Sequence, residues 1–113
     1  MKVAFPTNDR KTIAERTGRC KEFAIFDVVN SNITINYVAN HHEHHEHDEN
    51  KEHEHSHDEA MGILADVDLL IVKKIGKHMK SDLDKNNIKY KKVDEIEINN
   101  IIKKIQGGDL NNI

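Results

Sequence analysis

Val67-Asp68-Leu69-Leu70-Ile71-Val72 is the stretch whose reading decides the fold. It is apolar except at Asp68, too short to cross a membrane, and has the make-up of a strand covered on both faces. Ile75-Gly76 then turns the chain into a helix over Lys77 to Lys85, closed by Asn86-Asn87. Ile88-Lys89-Tyr90-Lys91-Lys92-Val93 alternates as a further strand,. A strand, a helix and a strand in that order make a parallel unit. Asp94-Glu95 opens a last helix with Ile98, Ile101, Ile102 and Ile105 at helical spacing, and Gly107-Gly108 with the tail to Ile113 is expected to fray,.

Upstream, the pattern changes. Lys2 to Phe5 reads as a strand stopped by Pro6 and the polar Thr7 to Lys11, and Thr12 to Cys20 as an irregular segment pivoting on Gly18,. Glu22 to Val29 is β-rich, Asn30-Ser31-Asn32 is a hairpin-like turn, and Ile33 to Val38 alternates with period two,. Ile33, Ile35 and Tyr37 share one face of that third strand, which suits a half-exposed edge. Ala60 to Ala65 is a short helix opened by Ser56 or Asp58 and ended by Asp66,. The expected fold is therefore α/β: one domain over residues 1–106 with a mixed five-stranded sheet, a three-strand meander followed by β-α-β-α, flanked by helices. In such sheets ligands gather beyond the carboxyl ends of the parallel strands, where the connections diverge. Pro6 to Cys20 and Lys73 to His78 follow those ends, so these two segments should be neighbours.

Between the meander and the parallel unit lies His41 to Glu59, with eight of the nine histidines, eight carboxylates, one lysine and only Asn50 and Ser56 besides. Without apolar residues it cannot offset its ordering entropy, so it is expected to be a mobile loop. Imidazole suits zinc, copper, nickel and iron, and the spacing of His41, His42, His44, His45, His47, His53, His55 and His57 lets a flexible chain offer several nitrogens to one ion. A solubilising acidic insert is the competing reading. An expression tag is disfavoured by the internal position and the interspersed acids.

The loop carries a net charge of -7, so the overall -3 hides a body of +4. Its lysines spread from Lys73 to Lys104 with Tyr90 as the one aromatic residue among them, a solvated helix face rather than a nucleic-acid surface,. The single cysteine excludes an internal disulfide, and Met1 to Pro6 is too short for an apolar targeting core,. A reducing, cytoplasmic setting and a chain that stays out of membranes are expected.

Arg16-Thr17-Gly18-Arg19-Cys20 gathers two guanidinium groups, a glycine and a thiol. Nearby positive charge favours the thiolate, which makes Cys20 a candidate soft ligand, while a cysteine buried at a strand start is the alternative. Arg16 and Arg19 could clamp an anionic cluster with their forks of donors. Ile75-Gly76-Lys77-His78 at a helix start offers backbone N–H groups and an imidazole as a second wall.

These segments, in this order, resemble the dinitrogenase iron-molybdenum cofactor biosynthesis family. Met1-Lys2-Val3-Ala4-Phe5-Pro6 looks like its opening strand, and Glu15 to Val28 its loop and second strand. A histidine-rich insert before the first helix and a strand ending in Ile75-Gly76 also fit. The likeness runs from about Met1 to Ile105. Where the family motif reads His-Phe-Gly-Arg, this chain has Arg16-Thr17-Gly18-Arg19, and Val72-Lys73-Lys74 stands where a Cys-Gly-Gly run is common. The resemblance implies a ribonuclease H-like fold and a non-catalytic role in holding or delivering iron-sulfur or molybdenum-containing clusters, with metallocluster donor or acceptor proteins as partners and a monomer or weak homo-oligomer as the form.

Enzymatic readings are disfavoured on the residues themselves. A two-cation nuclease of that fold needs a carboxylate on the first strand, and Lys2-Val3-Ala4-Phe5 has none,. No Ser/His/Asp set, phosphate-binding glycine loop or paired CxxC is present,. Three functions stay open. The first is a metallocluster carrier using Arg16, Gly18, Arg19, Cys20, Ile75, Gly76 and His78. The second is a zinc, nickel or iron buffer acting through the histidine loop alone, and the third a metal-sensing domain whose edge strand pairs with a partner.

Overall fold

A computed structural model of the chain describes residues 1–30, 32–40 and 55–108, with the side chains of 55–59 outside the description. The elements are β1 (Lys2–Thr7), β2 (Glu22–Val29), β3 (Asn32–Ala39), α1 (His55–Leu64), β4 (Leu69–Val72), α2 (Lys77–Lys85), β5 (Tyr90–Lys92) and α3 (Ile98–Gln106). The sheet order is β3-β2-β1-β4-β5, antiparallel among β3, β2 and β1 and parallel across β1, β4 and β5. This is the mixed sheet expected from a meander followed by alternation.

Each face of the sheet has its own cover. Ala4, Phe23, Leu70 and Val72 face α1 and α2, packing with Ala60, Leu64, Met79 and Leu83. Val3, Phe5, Ala24, Phe26 and Ile71 face α3, whose Ile98, Ile101, Ile102 and Ile105 are all buried. β4 supplies residues to both clusters, which is why its sequence is a solid apolar run. Asp68, the one polar interruption, is used at the strand start: its N–H donates to the Lys2 carbonyl at 2.8 Å, and its carboxylate accepts from the Lys2 N–H at 2.8 Å.

Several boundaries differ from the expectation. β1 does not stop at Pro6 but runs to Thr7, with Pro6 opposite Phe23. The ladder to β4 is made at Val3 and Ala4 and has ended by Pro6, so a residue without an N–H fits there,. α1 begins at His55, making the last five residues of the expected loop helical in backbone; the acids Asp58 and Glu59 favour the positive end of a helix dipole. At the end of α3 the N–H groups of Gly107 and Gly108 donate to the Lys103 and Ile105 carbonyls, and Gly108 takes the left-handed φ of 78° that suits a helix end,. The histidine-rich stretch from His41 to Glu54 and the tail 109–113 lie outside the described residues.

Asn30 takes φ 57° in a two-residue turn, with Val29 paired to Asn32 across it,. One pairing had no sequence signal. Thr12 bridges Glu97, with Ile13 N–H on the Ile96 carbonyl at 2.9 Å and Ile98 N–H on Lys11 at 3.1 Å, tying the loop after β1 to the start of α3.

Candidate site at the strand switch point

β1 and β4 are parallel neighbours whose connections leave in opposite directions, toward β2 and toward β5. The crevice beyond their carboxyl ends is where such a sheet opens to a ligand. Two loops flank it.

The first loop is built from its own polar side chains. Thr7, fully buried, donates its hydroxyl to the Thr12 carbonyl at 2.7 Å and accepts the Arg10 N–H at 2.8 Å. Asp9 accepts from the Lys11 and Thr12 N–H groups at 2.9 and 2.8 Å and from the Thr12 hydroxyl. The Thr12 and Lys11 N–H groups hold the Asp9 carboxyl down at about 2,. These bonds fix the path from β1 to a 3-10 turn, Thr17–Arg19.

Within that turn Thr17 is buried and donates its hydroxyl to the Lys74 carbonyl at 2.9 Å. The bond latches the first loop to the segment after β4, so the two expected neighbours do meet. Arg16 and Arg19 are exposed on either side of Thr17, and Gly18 is half-buried. On the second loop Lys74 and Gly76 are exposed, while Lys73 and Ile75 are half-buried. Ile75 packs on the same cluster that contains Cys20. Gly76 is the N-cap of α2, and a Cβ added there would meet nothing within 4 Å, so the approach to the helix start is open. His78 is exposed in the first turn.

Of the two readings of Cys20, the structure shows the buried cysteine at a strand start. It is fully buried beside Ala4 and Phe23, and burial pushes its thiol up to about 12, with weaker opposing help from the Asn40 side chain. The exposed guanidinium groups of Arg16 and Arg19 do not reverse that desolvation. The thiolate expected from local charge is therefore disfavoured, and the sulfur belongs to the core behind the site.

Asn40, absent from the sequence-stretch candidates, stands next to that sulfur. Its side-chain amide donates to the Cys20 carbonyl at 3.0 Å and to the sulfur at 3.7 Å, and its N–H donates to the Lys21 carbonyl at 2.9 Å. Its Oδ1 is buried without a hydrogen-bond partner among the described residues. Nothing local marks Asn40 in the sequence, whereas Thr17 lies inside the Arg16 to Cys20 stretch that the sequence reading singled out. The expected metal ligands His41, His42, His44, His45, His47 and His53 lie outside the described residues, and His55 and His57 are placed in backbone only. Among the described residues, no three His, Cys, Asp or Glu side chains form a metal-sized group.

The sequence profile of the dinitrogenase iron-molybdenum cofactor family matches residues 1–108. The chain belongs to this family. Its role is accordingly a cofactor-related one. Three solved structures share the fold over 96% of this chain. The Methanocaldococcus jannaschii protein mj0327 is 18% identical, covered over 90% of its own chain, with a TM-score of 0.68. PH0822 is 17% identical, covered over 92%, at 0.72, and the apo orange protein of Desulfovibrio gigas is 17% identical, covered over 88%, at 0.69. No curated protein matches the chain. At these identities the structural likeness speaks for the fold. The latch joins the two segments in which the sequence reading found departures from the family pattern, Arg16 to Arg19 and Val72 to Lys74, through Thr17 and Lys74. No helix among the described residues is long and apolar enough to cross a membrane.

Proposed function

We propose that this protein holds and hands on an anionic metal-sulfur cargo of iron-sulfur or iron-molybdenum type, without catalysing a reaction. The cargo rests between the Thr17–Arg19 turn and the start of α2. The histidine-rich segment recruits divalent zinc, nickel or iron in a reducing cytoplasm. The observation that carries this reading is the Thr17 to Lys74 hydrogen bond, which joins two loops rich in cations at the switch point of a family-matched sheet. Arg10, Lys11, Arg16, Arg19, Lys73, Lys74, Lys77 and His78 lie in them against two acids, Asp9 and Glu15.

A polyanion fits this donor set through charge and hydrogen bonds. Arg16 and Arg19 offer forked donors, and the first N–H groups of α2 add the positive end of its dipole beside the open Gly76,. Ile75 and Cys20 support the two loops from the core side. Handing-on is served by the same physics, because a cargo held without thiolate bonds leaves when a partner offers stronger ligands. The partners are metallocluster donor and acceptor proteins.

Anaerobic isolation of the full chain, with elemental analysis and visible absorption, tests this. Iron or molybdenum with charge-transfer absorption is expected, lost in the Arg16→Glu/Arg19→Glu double variant and kept in Cys20→Ala. A chain free of transition metal that takes up none at micromolar supply, or colour that depends on Cys20, overturns the reading. A second reading rests on the density of histidine in His41 to His57: a zinc, nickel or iron buffer acting through that segment alone. In that case deleting residues 41–54, which hold six of its eight histidines, removes most of the bound metal, and the arginine variant changes nothing.

A further inference from the structure

The two edges of the sheet are made differently. β5 has three residues, two of them Lys91 and Lys92, with Lys89 just ahead. A short edge lined with lysine is protected against pairing with another chain. β3 has eight residues, Asn-Ile-Thr-Ile-Asn-Tyr-Val-Ala, with no charge, no proline and no glycine. In a chain that is 33% charged, so long an uncharged edge lacks the usual protection,. It is also regular, since the ladder from Glu22 opposite Ala39 to Val29 opposite Asn32 runs without a bulge.

We propose that the outer edge of β3 is the surface through which two copies of this chain pair, antiparallel about a twofold axis, into one continuous sheet. The register of the open backbone groups follows from the inner ladder. Asn40 N–H points to Lys21 on the β2 side, so the even residues face β2, and the N–H and C=O groups of Ile33, Ile35, Tyr37 and Ala39 face outward,. A twofold axis at Ile35 sets Ile35 opposite its own copy, Ile33 opposite Tyr37 and Thr34 opposite Asn36. Apolar meets apolar, a β-branched side chain meets an aromatic ring, and polar meets polar. No like charges are brought together. On the neighbouring strand and loop, Arg10 pairs with Glu22 at 3.0 Å, with its guanidinium over the Tyr37 ring at 4.2 Å, and Asp27, opposite Thr34, pairs with the N-terminal amine at 3.9 Å.

The strand is thus its own complement, and an acidic or basic partner finds nothing on it to recognise. Pairing also covers side chains that one copy leaves open, Ile35 at 44% and Tyr37 at 37% exposure. The two Asn40 residues then sit at opposite ends of the joint, roughly 30 Å apart. The proposed joint is made by strand pairing and does not call on metal between the histidine-rich segments, which is why EDTA belongs in its test.

Sedimentation velocity on the full chain with EDTA present, from micromolar to submillimolar concentration, tests this pairing. A concentration-dependent dimer is expected. Ile35→Lys, which sets two lysines face to face, should weaken it at least about tenfold while far-UV circular dichroism is unchanged. Should Ile35→Lys fail to fold, Thr34→Lys adds a charge to the same edge at an already exposed position and should weaken the dimer likewise. A monomer at every concentration, a dimer that the folded variants leave intact, or one that EDTA abolishes overturns the proposal.

Discussion

At the scale of single residues, Cys20 sets a clear expectation. In the native protein its buried thiol should resist iodoacetamide and react once denaturant unfolds the chain, as mass spectrometry of the labelled protein would show. Burial raises the pKa to about 12 from an ordinary value of 9.0. Between those two pH values the unfolded chain releases a proton that the native chain keeps, so this contribution to stability is present below pH 9.0 and fades as pH rises toward 12,. Urea titrations stepped through that window should give falling midpoints, less so in Cys20→Ala. The local sequence pointed the other way, because two arginines nearby are visible in the sequence and the packing of Ala4 and Phe23 around the sulfur is not. Thr17 is the converse case. Its partner is 57 positions away, so no window of sequence shows the bond, although the rule about strand ends brought the two loops together. Thr17→Val should leave the Lys74 carbonyl without its partner and cost about 1–2 kcal/mol by chemical denaturation.

At the scale of elements, periodicity was legible wherever one face is buried and the other wet. The isoleucines of α3 and the alternation of Ile33 to Val38 both gave the right element, and β3 is indeed an edge. The solid run of β4 was legible for the opposite reason, as it feeds both clusters. The misplaced boundaries share a cause. Pro6 continues β1 because of where the neighbouring ladder ends, and α1 starts early on residues whose composition suggested a loop. Ile101 is fully buried at the centre of the α3 contact, so Ile101→Ala should lose about 2–5 kcal/mol in an equilibrium urea titration,. A much smaller loss would mean that α3 does not close that face of the sheet.

At the scale of the whole molecule, the parts divide between a mildly basic body and an acidic, histidine-rich segment. The order of elements made the body legible, and composition alone could say what chemistry the segment offers. Residues 41–54 contain no aliphatic or aromatic side chain to contribute to a core,. Deleting that segment should therefore preserve a cooperative thermal transition while sharply reducing nickel and zinc uptake near neutral pH. In the intact protein that uptake should fall as pH drops through about 6.5, where imidazoles gain protons and cease to be ligands.

The helix α3 is the one described helix on its side of the sheet, and its residues follow every described strand. During synthesis Val3, Phe5, Phe26 and Ile71 are therefore already made while the isoleucines that shield them are still inside the ribosome. Until residue 106 emerges those side chains lack the cover of α3, and transiently exposed apolar surface of that kind makes a nascent chain prone to aggregate.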